Sequence, residues 1–344
     1  MCHNSSVLGD FSMKQLHQRP RVMVVGTGGT IASKASQAVD YVNYEISSTV
    51  EQVLSSIPEL GQLADFNTRQ PINIESSKIN NDDLLKIART VDSAAKDPEI
   101  NGVIVIHGTD TLEETAFFLH LVVKTEKPII VVGAMRPASS LSADGPLNLY
   151  NSVIVATSDK VIGKGVLVVA NNHIFSARDV AKLDTSSIDA IGGSKYGIIG
   201  EVCGGEVRLT HAPLGLHTIN SELDLSKISE LATVDILFDH QSAGKHLYEA
   251  ALASGVRAII VAGMGNGNLS AGARYGAQLS HEAGVPFIRS SRTGQGIVSP
   301  VISDDELDII AAGSLTPQKA RILASACIAS NNDLFKLKSI FNSY

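Results

Sequence analysis

Short, unbroken apolar runs punctuate the chain at residues 22–25, 103–106, 129–132, 166–169, 236–238, 258–262 and 285–288. Rich in Val and Ile, they do not alternate with polar residues. Runs of this kind suit strands covered on both faces, as in a parallel sheet. Between them the period changes. Leu84, Ile87, Ala88, Val91 and Ala95 fall at i, i+3, i+4, i+7 and i+11, which predicts a helix with one buried stripe. Asn80 precedes it as N-cap, and Asp83 complements the dipole of its first turn. Strand–helix alternation along the chain predicts an α/β protein with a mostly parallel sheet.

The alternation lapses once. From His211 to Asn220 the chain has no apolar period of its own, and the pattern restarts at Val234. The expected organisation is a polar tail at 1–20, a larger N-terminal α/β domain at 21–210, a linker at 211–231, and a smaller C-terminal α/β domain at 232–344. The length of 344 residues agrees with two domains at roughly 150 residues each.

Charge narrows the classes of partner. With 35 acidic and 28 basic residues, the net charge is −7 and no Lys/Arg run occurs. Nucleic acid is excluded as a main partner, because phosphate binding needs a cationic face. No apolar stretch reaches the ~18 residues of a bilayer span, so no membrane association is expected. Cys2, Cys203 and Cys327 are scattered and odd in number, which builds neither a disulfide framework nor a zinc ribbon. Residues 1–20 lack the apolar stretch of a secretory signal, so the expected compartment is the cytoplasm. A signal removed upstream of this chain would make it periplasmic or secreted instead.

The chemistry lies in the loops that leave these apolar runs. Val25 leads into Gly26-Thr-Gly-Gly-Thr30-Ile-Ala-Ser33, Ile106 into His107-Gly-Thr109-Asp110-Thr111, and Val132 into Gly133-Ala134-Met135-Arg136-Pro137. In open α/β sheets ligands bind outside the carboxyl ends of the strands. Any one such loop is ordinary turn chemistry; three alike, delivering glycine, hydroxyl and carboxylate groups to one edge, predict a site. The first is not a dinucleotide fingerprint, since Ile31 stands where the third small residue belongs, and no Walker A loop occurs. Its glycines let the backbone approach a small ligand and aim Thr30 inward.

A threonine hydroxyl is a poor nucleophile until a base takes its proton. Lysine serves as that base when its pKa is lowered, and Asp110 is placed to hold one, with Thr109 beside it as relay. Lys182 is one candidate among several. The ten histidines show no His-Glu-x-x-His. His107, at a strand end, is expected to be buried and hydrogen-bonded, and His246-x-x-Glu249 to lie on an exposed helix face. No Gly-x-Ser-x-Gly elbow occurs. No metal and no cofactor are expected.

These motifs resemble the bacterial-type L-asparaginase/glutaminase family. The resemblance is carried by Thr27-Gly-Gly-Thr-Ile-Ala32 and His107-Gly-Thr-Asp-Thr-Leu-Glu-Glu-Thr-Ala116. It extends through Gly133-Ala-Met-Arg-Pro137, Ser142-Ala-Asp-Gly-Pro146-Leu-Asn-Leu-Tyr150, Gly265-Asn-Gly-Asn-Leu269 and Pro317-Gln-Lys-Ala-Arg321. The Thr-Ile-Ala form and the end of the chain look more like the type II branch. The resemblance implies two α/β domains and hydrolysis of L-asparagine to L-aspartate and ammonia through an acyl-enzyme, without a cofactor. L-glutamine is a second amide for a dual-specificity glutaminase-asparaginase. A ligand-binding module using the same glycine loops without catalysis is the reading from another class. The resemblance also implies a homotetramer with sites between subunits.

Roles carry over position by position. Thr30 is implied as the acylated nucleophile, oriented by Tyr44 on a mobile segment that serves as a lid; the spacing to Leu54 favours Tyr44 over Tyr41. Thr109, Asp110 and Lys182 form a second hydroxyl–carboxylate–lysine set. Ser76 and Asp110 are implied to hold the substrate's α-carboxylate and α-amino groups, with Ser77 beside them, and the Ala134 carbonyl to contact its amide. Asn268 is implied to reach the site of a neighbouring subunit. Two departures concern recognition of the amino group. Ser77 stands where the family usually has Gln or Glu. Val301 stands where it has an acidic residue supplied in trans, leaving Asp304, Asp305 and Glu306 as nearby substitutes.

Overall fold

The computed structural model describes residues 19–194, 196–330 and 333–344. Of the tail expected at 1–20, all but Arg19 and Pro20 lies outside the described residues. The larger sheet contains β1 (Arg21–Gly26), β2 (Asp65–Arg69), β3 (Gly102–Ile106), β4 (Ile129–Val132), β5 (Val166–Ala170), β6 (His173–Ser176), β7 (Ile198–Cys203) and β8 (Glu206–Leu209). Its spatial order is β8-β7-β6-β5-β4-β3-β1-β2. Strands β1 to β5 are parallel; β6, β7 and β8 extend the sheet as an antiparallel meander. A smaller, all-parallel sheet comes next, ordered β9 (Val234–Phe238), β10 (Ala258–Gly263), β11 (Phe287–Ser291) and β12 (Ile310–Ala311). The protein thus has two α/β domains, the larger one N-terminal. Residues 210–233, between the sheets, carry two short 3-10 turns.

The unbroken apolar runs have a simple cause. Val22, Val24, Ile104, Ile106, Ile130 and Val132 enter a core on one face of the large sheet, packed on Leu149 and Val153 of a helix at Gly145–Ala156. Met23, Val25, Val103, Val105, Ile129 and Val131 enter the core on the other face. Both faces are dry, so every position of the strand is apolar. Burying each such side chain fully contributes about 1.5–3 kcal/mol.

That second face is covered by α1 (Asn81–Lys96) and α2 (Leu112–Val122). In α1 the predicted stripe is buried, and Asn80 and Asp83 form a reciprocal capping box, each side chain accepting from the other's backbone N–H. A third helix, α3 (Pro317–Ala329), belongs to the C-terminal half of the chain yet packs on α2 as well as on β9 and β10. Ile322, Leu323 and Ala326 join Phe117, Leu121 and Ile260 in one core, and Arg321 pairs with Glu114 at 3.0 Å. The two sheets therefore share a hydrophobic core.

Some strands carry no run that predicts them. β2 reads Asp-Phe-Asn-Thr-Arg at a sheet edge, and β7 and β8 are exposed at several positions. The run expected at 285–288 begins and ends early, since β11 spans Phe287–Ser291 and includes Arg289. Strand β1 lies between β2 and β3, so the chain leaves it to one side and returns to the other. Such a reversal opens a crevice at the carboxyl ends of the strands.

Candidate active site

The loops after β1 and β3 meet at that crevice because glycines remove the obstacles. Gly29, at φ +87°, lies so close to Gly108 that a Cβ on it would sit 2.4 Å from the Gly108 Cα. Gly28, at φ +103°, abuts the backbone of Ile74 in the same way. Side chains there would both clash and strain the backbone. Thr27 completes the seam, with its N–H and hydroxyl both donating to the Ile106 carbonyl.

A cleft of about 190 Å³ opens above the seam, lined by Gly29, Thr30, Val42, Tyr44, Glu75, Ser76, Ser77, Gly108, Thr109 and Asp110. Thr30 begins a one-turn 3-10 helix and is buried, and its hydroxyl donates to the Tyr44 hydroxyl at 3.1 Å. Tyr44 reaches it from a two-stranded ribbon that pairs Ser33–Ala35 with Tyr44–Ile46. The ribbon is fastened over the cleft. Ala138 N–H donates to the Ser33 carbonyl, Ala35 N–H to the Ser139 hydroxyl, and Leu141 N–H to the Ala38 carbonyl. Tyr41 is half exposed and is not among the residues lining the cleft.

The second group is built by another ribbon. Lys182 ends the short strand Val180–Lys182, which pairs with Ile191–Gly193. Its Nζ donates to Thr109 Oγ1 at 3.0 Å and to Asp110 Oδ1 at 2.7 Å. Its backbone N–H donates to Glu113 Oε2 at 2.8 Å. Ser76 is buried beneath the same loop, its hydroxyl accepting from Asp110 N–H at 3.2 Å and its carbonyl from the Thr111 hydroxyl at 2.9 Å. Thr30, Tyr44, Ser76, Ser77, Thr109 and Asp110 thus share one cleft, and Lys182 stands behind Thr109 and Asp110.

Other expected positions lie elsewhere. Ala134 is buried at the end of β4, outside the cleft lining. Asn268 is exposed on a tight turn closed by reciprocal backbone bonds with Met264. Of the acidic substitutes near Val301, Asp304 is committed: it is buried and holds the Arg289 guanidinium at 2.6 and 3.1 Å. Asp305 and Glu306 are exposed.

His107 is fully buried, bonded through its ring to the Gly108 carbonyl and to Thr115 Oγ1. Burial pushes its pKa down to about 4, so it is neutral and structural at pH 7. His246 and Glu249 are both exposed. No group of three or more His, Cys, Asp or Glu that could hold a metal occurs among the described residues. No helix among them is long and apolar enough to cross a membrane.

Sequence reasoning missed Glu113 and Lys319. Glu113 is 8% exposed; burial raises its pKa, opposed by the charge of Lys319 and the Lys182 N–H. Lys319, on α3, is 1% exposed and donates to the Ala177 carbonyl at 2.6 Å. Burial pushes its pKa down to about 8. Both stand inside motifs of the family resemblance, Glu113 in 107–116 and Lys319 in 317–321, yet nothing in either pattern says which side chain turns inward.

Comparison with known proteins agrees with this architecture. Residues 21–214 match the family model described as asparaginase, N-terminal, and residues 233–341 that of the glutaminase/asparaginase C-terminal domain. The chain is 39% identical over 326 residues to L-asparaginase 2 of Bacillus subtilis, covering 94% of this chain and 87% of the relative. To a glutaminase-asparaginase of Pseudomonas aeruginosa it is 41% identical over 327 residues, covering 94% and 90%. It also superposes on the crystal structure of a probable cytoplasmic L-asparaginase from Campylobacter jejuni. That match has a TM-score of 0.91 at 34% identity, covering 95% of this chain and all of the other. With both family domains matched in order across nearly the whole chain, this protein belongs to the asparaginase family.

Proposed function

We propose that the protein hydrolyses L-asparagine to L-aspartate and ammonia, with Thr30 as nucleophile. The observation that carries the reading is the convergence on one cleft of two hydroxyl systems: Thr30 on Tyr44, and Thr109 on Lys182 and Asp110. Thr30 Oγ1 attacks the side-chain amide carbon while Tyr44 orients it, and backbone N–H groups stabilise the oxyanion. The carbon–nitrogen bond then breaks, and nitrogen leaves as ammonia with the proton the hydroxyl gave up. Water cleaves the ester, releasing aspartate and restoring Thr30. Lys182, held by Asp110, supplies the Thr109 hydroxyl with a neighbour able to exchange protons.

Ser76 and Asp110 suit the substrate's α-carboxylate and α-amino groups, with Ser77 at the rim and the Ala134 carbonyl toward the amide. The ribbon bearing Tyr44 excludes water while the ester forms. The catalytic set belongs to the domain at 21–210, followed by the linker at 211–231 and the domain at 232–344. Asn268, exposed on its turn, completes the site of a neighbouring subunit in a homotetramer. Residence in the cytoplasm agrees with the odd, scattered cysteines.

A dual-specificity enzyme is the second reading, favoured by the short Ser77 side chain in the cleft and by the relative named glutaminase-asparaginase. Ammonia release from L-asparagine and L-glutamine at matched low concentrations, with Thr30→Ala as control, separates the two. Asparagine turned over far faster, with a dead mutant, supports the first reading; comparable turnover supports the second. Release from neither amide would sink both. A solution mass near four chains is expected, and a fully active monomer would remove the role given to Asn268.

A further inference from the structure

Lys182 is held at both of its ends by residues three apart in the chain. Asp110 takes the ammonium at 2.7 Å, and Glu113, in the first turn of α2, takes the main-chain N–H of the same residue at 2.8 Å. The strand bearing Lys182 is short, three residues paired with three, so it has little pairing of its own to fix where the ammonium lands. Glu113 supplies the missing fixture. A carboxylate this buried needs compensation, and it comes from the helix N-terminus, the Lys182 N–H, and the field of Lys319 in the other half of the chain. Lys319 is held in turn by the Ala177 carbonyl at 2.6 Å and lies over the Phe117 ring at 5.3 Å. The charged groups acting on it are Glu113 and Glu114 from α2, with Arg178 and Asp179 from the segment before the Lys182 strand.

We infer that Glu113 is a positioning residue for Lys182: by holding the main-chain N–H of the short strand it sets where the ammonium meets Thr109 and Asp110. The inference rests on the amidohydrolase reading of Lys182. A purely structural Glu113 would affect stability and leave the kcat of the folded enzyme alone. A positioning one shifts kcat while leaving KM, because the displaced group acts on the reaction more than on binding.

The test uses the full chain and two variants, with steady-state asparagine hydrolysis, thermal melting, and hydrogen exchange of the backbone amides around Lys182. Glu113→Ala removes the acceptor, and kcat is expected to fall about 10- to 100-fold, with KM changed less than about 3-fold. Glu113→Gln has the same shape and keeps an acceptor oxygen, so it is expected to recover kcat to within about 5-fold of the parent. Exchange at the Lys182 amide is expected to speed up in Glu113→Ala and to stay slow in Glu113→Gln. A folded Glu113→Ala with parental kcat overturns the inference, as does equal loss in the Ala and Gln variants. If the parent protein releases no ammonia at all, the functional reading fails by itself. The exchange measurement still decides the positioning: an unchanged Lys182 amide in Glu113→Ala counts against it.

Discussion

The two sheets of this protein share a run of parallel strands, but the larger reverses at β1 while the smaller runs β9 to β12 in chain order, and they differ in what stands at their carboxyl edges. Both have a parallel core, and both end in loops carrying Gly, Ser and Asp. At the edge of the smaller sheet the polar groups are consumed internally. Asp239 is fully buried and accepts the backbone N–H of His240 and Ser270. Ser291 donates to the Gly265 carbonyl, and Arg289 is locked to Asp304. At the edge of the larger sheet the Thr30 hydroxyl and the Asp110 carboxylate face a cleft, the Asp110 side chain remaining 59% exposed even while paired with Lys182. The same strand ends thus yield a structural seam in one domain and a reactive surface in the other. What separates them is whether a group's hydrogen bonds are already spent inside the fold.

Substitutions at the two edges should then fail differently. The largest effect is expected for Thr30→Ala, which should cost about 10⁴-fold or more in kcat, roughly 5 kcal/mol, with little change in melting; parental rates would dissolve the distinction. Arg289→Met strands a buried carboxylate at the other edge and is expected to destabilise folding by about 3–5 kcal/mol in denaturant titration. A loss below about 1 kcal/mol would mean that the Asp304 pair is not needed.

His107 is a spent group on the reactive edge, and its effect is expected to be next in size. Its folded pKa, about 4, lies below the ordinary histidine value of 6.5, so the unfolded chain binds the proton more readily. Stability is therefore complete above 6.5 and is lost as pH falls toward 4, by roughly 3 kcal/mol in all. A His107→Gln variant should lose this part of the acid dependence, and an unchanged profile would assign it to other groups.

Tyr44→Phe is expected to lower kcat about 10- to 100-fold while the fold stays intact. The smallest effect is expected for Asn80→Ala, which is not among the residues lining the cleft, where losing the capping box should cost about 1 kcal/mol of stability and no activity.

Much of this was legible in the chain, for identifiable reasons. Positions such as Ile104 and Val105 are apolar in succession because the sheet is dry on both faces, and that constraint is visible in one dimension. β2 and β8 escaped notice because an edge or half-exposed strand places no such demand on composition. The glycine–threonine loops could be found because close backbone approach leaves few residues to choose from. Lys182 could be singled out only through the family resemblance, since its place depends on a ribbon pairing 180–182 with 191–193. Glu113 and Lys319 stand in motifs of the family resemblance, but what they do could not be read from those motifs. Their chemistry arises from two helices some 200 residues apart meeting in one core, and no local pattern reports that.

The placement of α3 has a consequence for how the molecule comes into being. When residue 210 has emerged from the ribosome, every strand of the larger sheet exists, yet the helix that covers α2 has still to be made. Lys319 arrives roughly one hundred residues later, on the order of 5–20 s at ordinary rates of translation. Through that interval the nascent chain carries Phe117 and Leu121 without their lid, a sticky face in need of shelter. Maturation is therefore gated by the arrival of α3, and nascent chains cut short before 317 should be recruited by chaperones or degraded rather than accumulate as a working half-enzyme.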